Sequence, residues 1–210
     1  MNLNKELIDC TKGFMDEEEG QYLYRLAETA GGLGPCLEIG SYCGKSTLYL
    51  GSACKKVKTV LFSIDHHRGS EEQQPGEEYF DPDLLDKNTG RIDTFRWFRQ
   101  TLEKAALEET VVPMICRSDL AARAWATPLA LVFIDGGHAY ETAFTDYHSW
   151  ARHVMPGGFL VFHDIFPDPA LGGQAPYEVY KIARSSGLFK ELPMVKSIGI
   201  LQRLSGSKRS

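Results

Sequence analysis

Apolar positions along the chain change period repeatedly, and the changes alternate helix with strand. Between residues 16 and 30, Tyr22, Leu26 and Ala30 recur on one side, which predicts a helix, and Gly31-Gly32-Leu33-Gly34-Pro35 breaks it. The apolar run 36–39 predicts a short strand, 45–53 a helix, and 60–64 a second strand ending at Asp65. Residues 93–109 carry Phe95, Phe98, Leu102, Ala105 and Ala106 at helical spacing, with Asp93 placed to cap the first turn. A third strand is expected at 111–115 and a short helix or turn at 120–125. The unbroken apolar run 129–134 fits a strand buried on both faces. Residues 140–155 read as helical, and Pro156-Gly157-Gly158 turns them into a strand at 159–162. A helix at 176–186 and strands at 189–194 and 198–204 complete the pattern.

Strands separated by helices imply right-handed crossovers and a largely parallel sheet. The expected class is therefore α/β, with a Rossmann-like seven-stranded, mostly parallel sheet and helices on both faces. The expected organisation is an N-terminal helical segment (1–34), one domain (35–204), and a disordered tail (205–210). Residues 66–90 stand apart. They contain Pro75, Gly76, Pro82 and seven acids: Glu71, Glu72, Glu77, Glu78, Asp81, Asp83 and Asp86. An irregular stretch this long inside a domain is usually a lid or a disordered segment, so a lid-like insertion is expected there.

The net charge of −5 argues against nucleic-acid or anionic-membrane partners, which select a basic face. Five cysteines, an odd number with no Cys-x-x-Cys pair, suit a reducing compartment. The first 20 residues are polar and acidic, unlike a signal peptide, and no apolar run approaches the ~20 residues that cross a bilayer. A cytoplasmic protein with a small-molecule substrate is the expectation. The N-terminal helix and the final strands could together form a homodimer surface.

In sheets of this kind ligands sit beyond the carboxyl ends of the strands, so the residues after each strand carry the functional signal. After the first stands Glu38-Ile39-Gly40-Ser41-Tyr42-Cys43-Gly44-Lys45-Ser46. A P-loop requires G-x-x-x-x-G-K-[ST], and Gly40-x-x-x-Gly44-Lys45-Ser46 is one residue short. A dinucleotide fingerprint requires G-x-G-x-x-G, and Tyr42 occupies the second glycine's place. After the second strand, Asp65 is positioned to accept ribose hydroxyls. Arg117-Ser118-Asp119 follows the third. After the fourth stands Asp135-Gly136-Gly137-His138-Ala139-Tyr140-Glu141, and after the fifth His163-Asp164. Charges delivered to one sheet edge by apolar strands are costly unless paired or metal-bound. Asp135 and Asp164 suit a hard divalent cation such as Mg2+. His163 as a further ligand would tilt the choice towards Mn2+.

An acid, a glycine, three residues and a glycine resemble motif I of the class I methyltransferases that use S-adenosylmethionine (SAM). The Asp135–Glu141 and His163-Asp164 segments resemble the metal-dependent O-methyltransferases, and residues 64–76 resemble a small group of sugar O-methyltransferases. The resemblance implies cofactor contacts from Glu38, Gly40, Ser41, Tyr42, Gly44, Ser46, Asp65, His66, Ser118 and Asp135. It implies a metal at Asp135, His163 and Asp164, and catalysis by Asp135 and His138, since a basic group follows the metal-binding acid by three residues. The implied reaction is methyl transfer from SAM to a hydroxyl of a small molecule, a sugar being one acceptor class. The alternatives are a metal-free N- or C-methyltransferase, an NAD(P)-binding Rossmann oxidoreductase, and a catalytically silent SAM-binding module.

Overall fold

The computed structural model describes residues 3–205. The expected tail therefore lies, from 206 onwards, outside the described residues. In chain order the elements are α1 (Lys5–Cys10), α2 (Glu17–Gly31), β1 (Cys36–Ile39), α3 (Lys45–Val57) and β2 (Leu61–Ile64). There follow β3 (Leu85–Asp86), β4 (Arg91–Ile92), α4 (Phe95–Ala105), β5 (Val111–Met114), α5 (Ser118–Ala122) and β6 (Leu129–Ile134). The last are α6 (Tyr140–Trp150), β7 (Val154–Phe162), α7 (Ala175–Ser185), β8 (Phe189–Val195) and β9 (Ile198–Arg203).

The seven-stranded sheet runs β5-β2-β1-β6-β7-β9-β8. The first five strands in that order are parallel, and β9 is antiparallel to both its neighbours. The chain steps outward from β1 through β2 to β5, then returns to the other side of β1 for β6 and β7. The strand order thus reverses between β1 and β6, the switch point where such sheets bind ligands. Register then sets the site. Ile39 pairs with both Ile64 and Ile134, and Ile134 pairs with Phe162. One residue further on, Gly40, Asp65, Asp135 and His163 stand in a row across four strands.

Successive strand residues face opposite sides of the sheet. Leu131, Phe133 and Val161 pack under α2, α3 and α4 with Leu23, Ala27, Tyr49 and Phe98. Val132, Ile134, Leu160 and Phe162 pack under α5, α6 and α7 with Ala143, Trp150, Val179 and Tyr180. Helix α2 contributes Leu23, Ala27 and Ala30 to the first of these cores.

Several boundaries differ from the sequence expectation. Helix α1 was not anticipated; Asn4 caps it, accepting from the Leu7 N–H. Helix α6 stops at Trp150 rather than 155, because residues 151–153 tighten into a 3₁₀ turn and Val154 pairs with Leu129. The expected turn at 156–158 is instead part of β7, with a register shift against β6. Gly158 permits this, since a Cβ there would press on the Ala130 carbonyl. Thr94 rather than Asp93 ends the approach to α4, though the Asp93 carboxylate does accept from the Phe95 N–H (3.0 Å). That helix ends at Ala105 because Ala106 turns left-handed (φ 51°). Residues 66–90 are ordered by two 3₁₀ turns and the β3–β4 hairpin. Among the described residues no helix is long and apolar enough to cross a membrane.

Candidate active site

The loop after β1 coils through three left-handed residues, Gly40 (φ 87°), Tyr42 (φ 47°) and Gly44 (φ 96°). At Gly40 glycine is required twice over. A side chain would strain the backbone, and a Cβ would collide with the Asp135 carbonyl. The missing side chain thus lets the β1 and β6 loops cross. Asp65 then fixes the loop: its Oδ2 accepts from the Ser41 and Tyr42 N–H groups (3.1 and 2.8 Å), and its Oδ1 from His67 N–H (2.6 Å). A carboxylate offers about four acceptor sites, so three are occupied by the protein itself. The expected pair of ribose bonds would have to share the remainder. His66 is exposed at the cleft, its Nδ1 accepting from the Arg68 N–H (3.0 Å).

Glu38 departs from its expected role. It is fully buried and does not line the cleft. Its carboxylate accepts from the hydroxyls of Ser46 (2.6 Å), Thr47 (2.6 Å) and Ser63 (2.7 Å), pinning α3 and β2 to β1. Ser46 lines the cleft, but its hydroxyl is committed to this bond. Gly44 also stands behind the cleft wall, where a Cβ would press on Phe98 and Thr101. Burial raises the Glu38 pKa from 4.5 to about 7, against the pull of the three hydroxyls. A folded pKa above the unfolded one means that Glu38's contribution to stability is full below pH 4.5 and is lost as pH rises through 7. Glu38→Gln removes that titration. Its melting temperature should gain on the wild type between pH 4.5 and 7; parallel melting profiles would contradict the assignment.

Ser118 lines the cleft at the start of α5 and donates a short hydrogen bond to Asp146 of α6. Asp146 was not anticipated. It is buried, and burial raises its pKa to about 6. The available signal was an acid on the inward face of a helix, four residues before the buried Trp150.

On the other side of the switch point the charged groups converge. His163, 8% exposed, places Nδ1 3.1 Å from Asp135 Oδ1 and 3.3 Å from Asp164 Oδ2, and Nε2 3.2 Å from Glu19 Oε2. Burial opposes the charge on His163, but Asp135, Asp164 and Glu19 outweigh it and hold its pKa well above 6.5. Burial raises Asp135, against the pull of His163. Asp164 adopts a left-handed backbone (φ 56°), which turns its carboxylate back towards both histidines. One oxygen of each acid and a nitrogen of His163 lie within 4.8 Å of one another, a spacing that could hold a metal ion. His138 bonds Asp164 through Nε2 (2.8 Å) and Glu72 of the insertion through Nδ1 (2.7 Å). Asp164 foremost, then Glu72 against an opposing burial effect, raises His138 to about 9. His138, the basic group that the resemblance places in catalysis, thus carries a proton at neutral pH. Glu72 and Glu19, its counterpart on His163, were both missed.

Gly40, Asp65, Ser118, Asp135, His138, Asp146, His163, Asp164 and Glu72 face one cleft of about 880 Å³, whereas Glu19, Glu38 and Gly44 do not line it. Residues 66–90 close one side of it, tied down by Lys12 to Asp81 (2.5 Å) and Asp83 (3.0 Å). Phe14 packs edge-on against Tyr79 at the mouth.

A family model described as a methyltransferase domain matches residues 37–165, more than half of the chain. The chain belongs to the methyltransferase-domain family. The oxidoreductase alternative is thereby set aside. Over 130 residues the chain is 27% identical to a protein of Acanthamoeba polyphaga mimivirus called uncharacterized protein R132, covering 61% of this chain and 50% of that one. It therefore spans about half the length of the curated relative it matches. Among solved structures it resembles the O-methyltransferase NovP (TM-score 0.68, 14% identity, covering 90% of this chain and 80% of that one). It also resembles an O-methyltransferase from Bacillus cereus in complex with S-adenosylhomocysteine (TM-score 0.64, 14% identity, 97% and 93%). A third is TomG from Streptomyces achromogenes, an O-methyltransferase of tomaymycin synthesis in complex with SAM (TM-score 0.59, 16% identity, 91% and 82%). At these identities the likenesses establish the methyltransferase fold.

Proposed function

We propose that this methyltransferase transfers the methyl group of SAM to a hydroxyl of a small molecule, a sugar being one acceptor class, beside a divalent cation. The observation that carries this reading is the meeting, in one cleft, of the Gly40–Asp65–Ser118 edge with the Asp135–His138–His163–Asp164 edge. The first edge fits SAM. The Ser41 hydroxyl there is buried with no hydrogen-bond partner, and a cleft rich in acids favours a sulfonium cation. The second edge fits a metal: two carboxylates and an imidazole converge. Asp135, His163 and Asp164 would hold the ion, Mg2+ by its preference for oxygen or Mn2+ by its tolerance of imidazole. Such an ion lowers the pKa of a bound hydroxyl.

The chain's own groups must orient the acceptor, exclude water and manage a proton. The insertion excludes water when Glu72 reaches His138 and Lys12 holds Asp81. In that closed state His138 keeps its proton. Withdrawing Glu72 removes one of its two anions and lowers its pKa, so that the ring releases its proton to solvent through Nδ1 and can then take the proton of the acceptor hydroxyl. Glu72→Gln is therefore expected to lower the His138 pKa and move the acidic limb of the rate–pH profile down by about one unit. An unmoved limb would remove Glu72 from the reaction.

A metal-free reading rests on a specific observation: each imidazole already sits between carboxylates, so the cluster can balance its own charge. The test is transfer of labelled methyl from SAM to a panel of sugars, catechols and simple alcohols, before and after EDTA. The proposal expects label in a hydroxylated acceptor, lost with EDTA and restored by Mg2+ or Mn2+. Full transfer after EDTA would favour the metal-free reading, and label only in amines would overturn the acceptor class.

A further inference from the structure

Glu19 is a carboxylate for which the reaction above has no use. It sits in the first turn of α2, 4% exposed, far along the chain from every strand-end motif. Burying a carboxylate is costly unless its lone pairs are satisfied. Glu19 satisfies them with two partners. Its Oε1 accepts from the backbone N–H (2.8 Å) and hydroxyl (2.7 Å) of Ser197, between β8 and β9. Its Oε2 lies 3.2 Å from His163 Nε2.

The geometry points to Glu19 as a positioning residue for His163. Holding a proton on Nε2 leaves Nδ1 as the atom presented to Asp135 and Asp164. A metal ligand must give up the Nδ1 proton; without the Glu19 anchor the ring could rotate, or keep its remaining proton on Nδ1 and offer no lone pair to the cleft. Ligating histidines are commonly oriented in this way by a carboxylate on the far nitrogen, and losing the carboxylate typically costs 10–100-fold in metal affinity. The ligand part of this inference rests on the metal reading above; the orientation of the ring does not. It also gives α2 a task at the site, since this helix delivers the anchor to a ring 144 residues away in sequence.

Three variants separate positioning from mere packing. Glu19→Gln keeps the shape but replaces an acceptor with an amide. Glu19→Asp keeps the charge but shortens the reach. Ser197→Ala removes one bond to Glu19 and leaves the ring contact. Ring-nitrogen NMR of His163 in the metal-free protein should report both ring nitrogens protonated and hydrogen-bonded, Nε2 towards Glu19, in the wild type and in Ser197→Ala. In both Glu19 variants that signal should shift or average. Mn2+ alone should bind 10–100-fold more weakly to the Glu19 variants and nearly normally to Ser197→Ala. Unchanged ring signals in both Glu19 variants would overturn the proposal, as would equal effects in all three variants. If the wild type binds no Mn2+, the metal reading fails, and the ring signal alone decides the role of Glu19.

Discussion

Asp164→Ala is expected to lower turnover by about 10²–10⁴-fold while SAM affinity stays close to that of the wild type. Asp164 is where both histidines meet: its Oδ2 lies 2.8 Å from His138 Nε2 and 3.3 Å from His163 Nδ1. Burial alone would raise its pKa, but the two histidines overcome this and hold it well below the usual carboxylate range. Alanine removes the anion that keeps His138 in place, and removes one of three candidate metal ligands. The Gly40 loop, fixed by Asp65 on the other side of the switch point, is untouched. Steady-state methyl transfer, using an acceptor from the labelled-methyl panel, and calorimetric SAM binding separate the two effects. A variant that lost SAM affinity and turnover in equal measure would place Asp164 at the cofactor instead.

Gly40→Ala is expected to remove SAM binding and to lower the melting temperature by roughly 10 °C, the shift that about 3 kcal/mol produces in a domain of this size. Two costs act together. The left-handed backbone strains any Cβ-bearing residue by ~1–3 kcal/mol, and the Asp135 carbonyl blocks the Cβ. The obstacle is backbone, so no rotamer change relieves it. Gly76 is the control. Its φ is 98°, with open space around the added Cβ, so Gly76→Ala should show strain alone, ~1 kcal/mol. Equal losses at the two glycines would mean that the crossing of the β1 and β6 loops does not matter.

The row of residues beyond the strands was legible because it follows from period and length. The unbroken apolar run 129–134 is β6, buried throughout. Its end at Ile134 fixes Asp135 beside Gly40 by register. Gly40, Asp65, Ser118, Asp135, His138, His163 and Asp164 all line the cleft for that reason. The partners of these residues were not legible. Glu72 meets His138 across 66 residues, and Glu19 meets His163 across 144. Neither pairing leaves a periodic trace. Glu19 sits in the run Glu17-Glu18-Glu19, which by itself reads as charge favouring a helix N-terminus. Glu38 was misassigned because motif order does not say which way a strand residue faces. It points under α3, into three hydroxyls. The pKa of His138 was out of reach for the same reason, since it depends on two acids from distant segments.

Calorimetric titration of the purified chain with SAM, with S-adenosylhomocysteine and with NAD tests the central claim most directly. Saturable heat from the two sulfur nucleosides, lost in Gly40→Ala and kept in Asp164→Ala, is the predicted result. Heat from NAD alone, or SAM binding that survives Gly40→Ala unchanged, would contradict the site described.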